Sequence, residues 1–173
     1  MKYINKSIAE QTAHNMLKSV NQKISEKQKE LSDFCQDLAI KSIDSNVWEN
    51  VSSIPEGWIQ KRSTFYFKSY YSSIQIGITS AIRFRYDSYS INVSNEDFEK
   101  IKSFEQDIKN MENKRRQLRE QIIESLLKLR TAKRIEKEFP EAYKCLPKDV
   151  MQIHDIVALP FKKILTGIND FPE

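Results

Sequence analysis

The chain has 173 residues, 39% of them hydrophobic and 30% charged, with only three glycines. That length suits one domain with a thin core, and the scarcity of glycine favours extended helices with large solvated faces over tightly turned sheets. A formal charge of +4, from 28 basic and 24 acidic residues, excludes an acidic mimic of DNA and leaves nucleic acid neither required nor excluded as a partner.

The opening segment, MKYINKSIAEQ, has no apolar signal core. No run approaches the roughly 18 apolar residues that span a bilayer, so a cytoplasmic protein with no membrane partner is expected. Cys35 and Cys145 stand far apart without CxxC spacing, which predicts buried thiols in a reducing compartment.

The first predicted element is a helix over residues 6–43, because Leu17, Val20, Ile24, Leu31, Phe34 and Leu38 recur at heptad spacing. Lys27 falls on that seam, where a charge either fixes register or snorkels from the edge; the second is the plainer reading. At residues 54–59, Pro and Gly in Ile-Pro-Glu-Gly-Trp-Ile mark a turn. The period then becomes two over 62–93. Phe65 and Phe67 alternate with Thr64, Tyr66 and Lys68, and Ile74, Ile76 and Ile78 alternate with polar or small residues. Ile82, Phe84 and Tyr86 follow, and then Tyr89, Ile91 and Val93. This predicts three or four antiparallel strands, with turns or bulges near Tyr71 to Ser73 and Asp87 to Ser88.

Ser94 and Asp97 form a capping box for a long helix over 94–139, whose seam is Ile101, Phe104, Ile108, Met111, Leu118, Ile122 and Leu129, with Arg115 interrupting it. Pro140 disfavours helix at Phe139 and ends the element. Some 45 helical residues would be about 65 Å long, so the helix is either broken around Thr131 or projecting. The tail, 148–173, is expected as a strand or loop leading to a short helix at Phe161 to Leu165.

The fold class is therefore α+β: two long heptad-patterned helices, as an antiparallel hairpin or coiled coil, joined through a small antiparallel sheet. A single domain over 1–173 is expected, with a homodimer covering what one thin core does not.

Two segments, Ile-Pro-Glu-Gly-Trp-Ile at 54–59 and Phe-Pro-Glu-Ala-Tyr-Lys-Cys-Leu-Pro at 139–147, carry a resemblance to a known family. They resemble the LPEGWL and WPEA...LP segments of the fifth nucleotide-modification-associated domain family of phages and prophages. The order of helix, turn, aromatic strands, charged helix and PEA segment is similar over most of the chain. The resemblance implies a viral or prophage origin and action in a bacterial host, where small accessory proteins bind defence or replication components. It brings no catalytic residues to this chain.

Candidate sites are few. His14, four residues after Glu10, reads as a surface contact more readily than as a metal ligand, and His154-Asp155 is no stronger. No glycine-rich phosphate loop exists, which removes P-loop chemistry, and neither a cofactor nor a metal is expected. Arg83 and Arg85 share a strand face, with Tyr66, Lys68 and Tyr70 expected on an adjacent strand. Basic and aromatic side chains interleaved in this way serve protein interfaces, and also phosphates and stacked bases. Lys114, Arg115, Arg116 and Arg119 form a second basic patch, extended by Arg130, Lys133 and Arg134 and interrupted by Glu112, Glu120 and Glu124. Its plain reading is a solvated, salt-bridged face, and its functional reading a docking stripe for acidic protein or nucleic-acid backbone.

The expectation is a non-enzymatic phage or prophage accessory protein that binds and inhibits a host macromolecule, in first place a defence-system component. The alternative is a nucleic-acid-binding accessory of phage DNA modification. An enzyme acting on nucleotides would need a pocket of clustered carboxylates, which the sequence does not reveal.

Overall fold

The computed structural model describes residues 3–42, 48–50, 62–70, 72–79, 83–84, 88–148 and 150–151. The expected turn at 54–59, Ile82, Arg85, Tyr86, His154 and the expected helix in the tail lie outside the described residues. Five helices and five strands run in the order α1 (Lys6–Met16), α2 (Lys18–Ser42), β1 (Trp48–Asn50), β2 (Arg62–Ser69), β3 (Ser72–Thr79), β4 (Arg83–Phe84), β5 (Ser88–Asn92), α3 (Asn95–Leu129), α4 (Ala132–Glu138) and α5 (Pro140–Lys144) among the described residues. The class is α+β, as the two periodicities require. Two compact units divide the chain, one made of Met1–Ser25 with Lys109–Glu173 and the other of Glu26–Ile108.

In the first unit α1 starts at Asn5, whose Oδ1 accepts from the Ile8 amide at 2.9 Å. The single helix expected over 6–43 is two helices, because Leu17 takes φ −92° and ψ 13° between α1 and α2. The hydrogen-bond ladder still crosses this point. Leu17 N donates to Ala13 O at 3.1 Å, and Asn21 N donates to Leu17 O at 2.9 Å. Thr12 Oγ1 donates to Ile8 O at 2.7 Å, a back-bond of the kind that bends helices.

The helix expected over 94–139 is also broken, at the place the length argument singled out. Arg130 has φ 63°, left-handed backbone that no α-helix continues through, and Thr131 then caps α4 by accepting from Arg134 N. Ile4 N donates to Arg130 O at 2.8 Å, and Tyr3 bridges Thr131, so the break is tied to the start of the chain. Phe139 caps α4, and Pro140 opens α5 at a position whose missing N–H loses nothing. Seam residues Leu17, Val20 and Ile24 lie buried with Met111, Leu118, Ile122 and Leu129, and Ile135, Phe139 and Leu146 complete this core. Glu10 faces Arg119 and Asn21 faces Arg115, so α1 and α2 run antiparallel to α3 here.

In the second unit β2 is the central strand of a three-stranded sheet ordered β3-β2-β5. Phe65 opposes Ile76 and Tyr89, and Phe67 opposes Ile74 and Ile91, so one face is apolar. That face is packed with Leu31, Cys35 and Ala39 of α2 and Ile101 and Ile108 of α3. Each buried side chain of this size contributes roughly 1.5–3 kcal/mol. Phe34 meets Phe104 with ring centroids 6.1 Å apart, and Lys100 Nζ lies 4.3 Å from the Phe34 ring centre. Lys27, the seam charge, snorkels: its Nζ sits 4.8 Å from the Phe104 ring centre and 2.9 Å from Glu30 Oε2. The capping box forms at Ser94, whose Oγ accepts from Asp97 N at 3.0 Å and donates to Asp97 Oδ2 at 2.7 Å.

The expected sheet needs correction. β2 and β3 are antiparallel, but β5 returns to the other side of β2 and runs parallel to it, so the sheet is mixed. β4 pairs instead with β1, a short strand the sequence did not suggest, in a separate two-stranded sheet. The return to β2 puts Tyr89 and Ile91 beside Phe65 and Phe67, where their apolar surface is covered. Most seam positions are buried within one chain, and Phe34, Leu38 and Phe104 are half-buried.

Candidate functional site

The structure separates the two expected contact surfaces and gives one of them depth. On the sheet, Tyr66 and Lys68 share the solvent-side face of β2, opposite Gln75 and Ser73 of β3 and Ser90 and Asn92 of β5. Tyr70 follows in the turn and is 88% exposed. Arg83 belongs to β4, which pairs with β1 and not with β2. The expected alignment of Arg83 on a strand adjacent to Tyr66 and Lys68 is therefore not how the sheet is built.

The second surface is a cleft of about 730 Å³ within the first unit. One wall is α3, with Glu112, Asn113, Arg115, Arg116 and Arg119. His14, Leu17 and Asn21 form the opposite wall, from α1, its junction and α2. Both walls follow from helix geometry. Residues 14, 17 and 21, like 112, 115 or 116, and 119, are spaced three and four apart and so lie on one face of their helices. They flank the buried seam positions Val20, Met111 and Leu118, and are brought opposite one another when those apolar residues pack.

The polar groups of the cleft are mainly donors. Arg115 Nη1 donates to Asn21 Oδ1 at 3.3 Å, and Arg116 Nη2 donates to Asn113 Oδ1 at 2.8 Å. Each bond fixes a guanidinium and occupies an amide oxygen. Arg119 Nη2 lies 3.7 Å from Glu10 Oε1. Three guanidinium groups line the cleft against one carboxylate, Glu112, and low-dielectric walls concentrate the positive potential. Planar forks of this kind bind phosphate and carboxylate by paired hydrogen bonds. Lys114 of the same patch is half-buried but does not line the cleft. Arg134, further along, is engaged with Glu138 at 3.3 Å.

Arg115, Arg116 and Arg119 were legible as a basic patch; the convergence of His14 and Asn21 on them was not. The signal was present in the 14, 17, 21 spacing beside the seam, but assembling it requires the register of α1 and α2 against α3. Among the described residues no three His, Cys, Asp or Glu side chains gather as a metal would need. Burial pushes the Cys35 thiol up to about 12, aided by the nearby Glu105 carboxylate, and burial also raises Cys145, so neither is poised as a nucleophile. Among the described residues, no helix is long and apolar enough to cross a membrane.

The model of the family described as nucleotide modification associated domain 5 matches residues 3–166, and the chain belongs to that family. No curated protein and no solved structure matches it.

Proposed function

We propose that this member of the nucleotide modification associated domain 5 family is a non-enzymatic accessory protein that binds the phosphate of nucleotides or nucleic acid through its arginine-lined cleft. The observation that carries this reading is the convergence of Arg115, Arg116 and Arg119 opposite His14 and Asn21 in one cleft. The family description is in keeping with a ligand from nucleotide metabolism. A binding role is the reading taken because arginines and asparagine amides, groups that hold anions, dominate the polar lining of the cleft.

Fluorescence anisotropy of a labelled single-stranded oligonucleotide across a salt series tests this reading. Binding should weaken steeply with salt, and the slope should fall by about 0.7 for each phosphate contact removed. Arg115→Ala, Arg116→Ala and Arg119→Ala together should abolish binding. Salt-insensitive binding, or full binding by that triple variant, would sink the reading.

A second reading, inhibition of a host defence component, draws support from the sheet face, where the exposed Tyr70 stands beside Lys68 and Tyr66. Tyrosine and cationic side chains together suit a protein interface. It predicts one stoichiometric host protein in a pull-down, lost with Tyr66→Ala and Tyr70→Ala and retained by the arginine variants.

A further inference from the structure

We infer that the cleft takes a single nucleotide unit bearing a terminal phosphate, either a mononucleotide or the phosphorylated end of a strand, and does not track a continuous backbone. This rests on the phosphate-binding reading above and sharpens its ligand. The first reason is the distribution of charge. Arg115, Arg116 and Arg119 lie within five consecutive residues of α3, about 6 Å of helix axis, a cluster too short to follow a strand. A duplex presents a charge about every 1.7 Å of its axis, and a protein that follows it needs cations spread to match.

The second reason is shape. At about 730 Å³ the cleft has the size of a small-molecule site. Leu17, on the wall opposite α3, is 2% exposed and gives that wall an apolar patch against which a base or sugar can pack.

The third reason is the set of hydrogen-bonding groups. The bonds from Arg115 to Asn21 Oδ1 and from Arg116 to Asn113 Oδ1 use amide oxygens, so both asparagines retain NH2 groups as donors. With the guanidinium groups these suit phosphate oxygens and the acceptor edge of a base. Glu112 is different in kind, because a carboxylate only accepts and has about four lone-pair positions, enough to hold a protein partner and a ligand donor together. Free hydrogenphosphate can offer this carboxylate only its own P–OH, a donor on the group the arginines hold, whereas a nucleotide can leave its phosphate among the guanidinium groups and present a sugar hydroxyl or a base amino group to Glu112, so the nucleoside adds a contact that phosphate alone does not make.

Isothermal titration of the full chain with deoxynucleoside 5′-monophosphates, the matching nucleosides and inorganic phosphate tests the inference. An oligonucleotide with and without a 5′-phosphate completes the set. The phosphorylated strand should bind about tenfold more tightly than its hydroxyl-ended twin, and a monophosphate should compete with it. Arg116→Ala should weaken the monophosphate about tenfold, and Glu112→Gln should narrow its advantage over inorganic phosphate. Circular dichroism of both variants separates lost binding from lost folding. Equal affinity for the two strands without competition by monophosphate would overturn the inference and leave the broader phosphate-binding reading standing. Inorganic phosphate binding as tightly as the nucleotide would also overturn it. No binding by any of these probes would remove both.

Discussion

Arg119 Nη2 stands 3.7 Å from Glu10 Oε1, which places a carboxylate of α1 against one of the three guanidinium groups of the cleft. Both side chains are substantially exposed, so the pair adds less than about 1 kcal/mol to stability. The pair also bears on a ligand, because a bound anion competes with Glu10 for the same cation. Glu10→Gln should leave the melting temperature nearly unchanged and tighten nucleotide monophosphate binding about two- to fivefold, a gain well within the strength of one exposed ion pair. Weaker binding by this variant in a calorimetric titration would refute the competition.

The junction of α3 and α4 is strained at one residue and capped at the next. Arg130 holds φ 63°, which costs a residue with a Cβ about 1 kcal/mol that glycine avoids. Arg130→Gly should therefore raise stability in urea melts, provided the bond from Ile4 N to Arg130 O persists. Thr131→Ala removes the Oγ1 cap of Arg134 N and should cost about 1 kcal/mol. The two changes move the midpoint in opposite directions.

How much of this was legible depends on which distances the sequence encodes. Heptad positions such as Ile24, Leu31, Ile101 and Leu118 are buried as their spacing required, because helix periodicity is local. Reach alone left two outcomes for the helix expected over 94–139, a break around Thr131 or a projection, and α3 ends at Leu129. Strand direction did not follow. Alternation puts Phe65 and Phe67 on one face but is the same for parallel and antiparallel neighbours, so the return of β5 to β2 was invisible. The cleft lay between these cases: Arg115, Arg116 and Arg119 could be read along one helix, whereas Asn21 and His14 join them only through tertiary register.

Cys35 is wholly buried, with its thiol pushed up to about 12 by burial and by Glu105. At mildly alkaline pH a thiol reagent should modify Cys145 well before Cys35, which should react only on unfolding. The folded-state value lies above the unfolded one, so the contribution of this group is complete below about pH 9 and lost as pH rises toward 12. Urea midpoints should fall over that interval, and Cys35→Ala should flatten part of the fall. Rapid labelling of Cys35 in the native protein would contradict the burial argument.

Burial also raises the Glu105 carboxyl, which means that the folded state disfavours its charged form. Stability attributable to this group increases as pH falls from neutral through the raised folded value, the opposite of a salt-bridged acid. Glu105→Gln should therefore stabilise the protein at pH 7 and remove that part of the pH dependence, measured as melting temperature against pH.

Phe65 is fully buried on β2, its ring centre 5.2 Å from Tyr89 and 6.1 Å from Phe67. Phe65→Ala should cost about 3–5 kcal/mol, since it opens a cavity at the one strand both neighbours pair with. Phe65→Leu should recover most of that loss, and the difference in denaturant midpoint measures it.

The tie between Ile4 and Arg130 sets a timetable for the nascent chain. The stretch from Glu26 to Ile108 is continuous, so every residue of that unit has been synthesised before the ribosome reaches the second half of α3. α1 and the start of α2 are made before the Glu26–Ile108 unit, yet their partners Leu118, Ile122 and Leu126 come about a hundred residues later. At roughly 5–20 residues per second they wait for seconds with Ala9, Leu17 and Val20 uncovered. The stretch that includes α1 thus precedes its own partners by the whole of the other unit, and for that interval its apolar face is open to a chaperone.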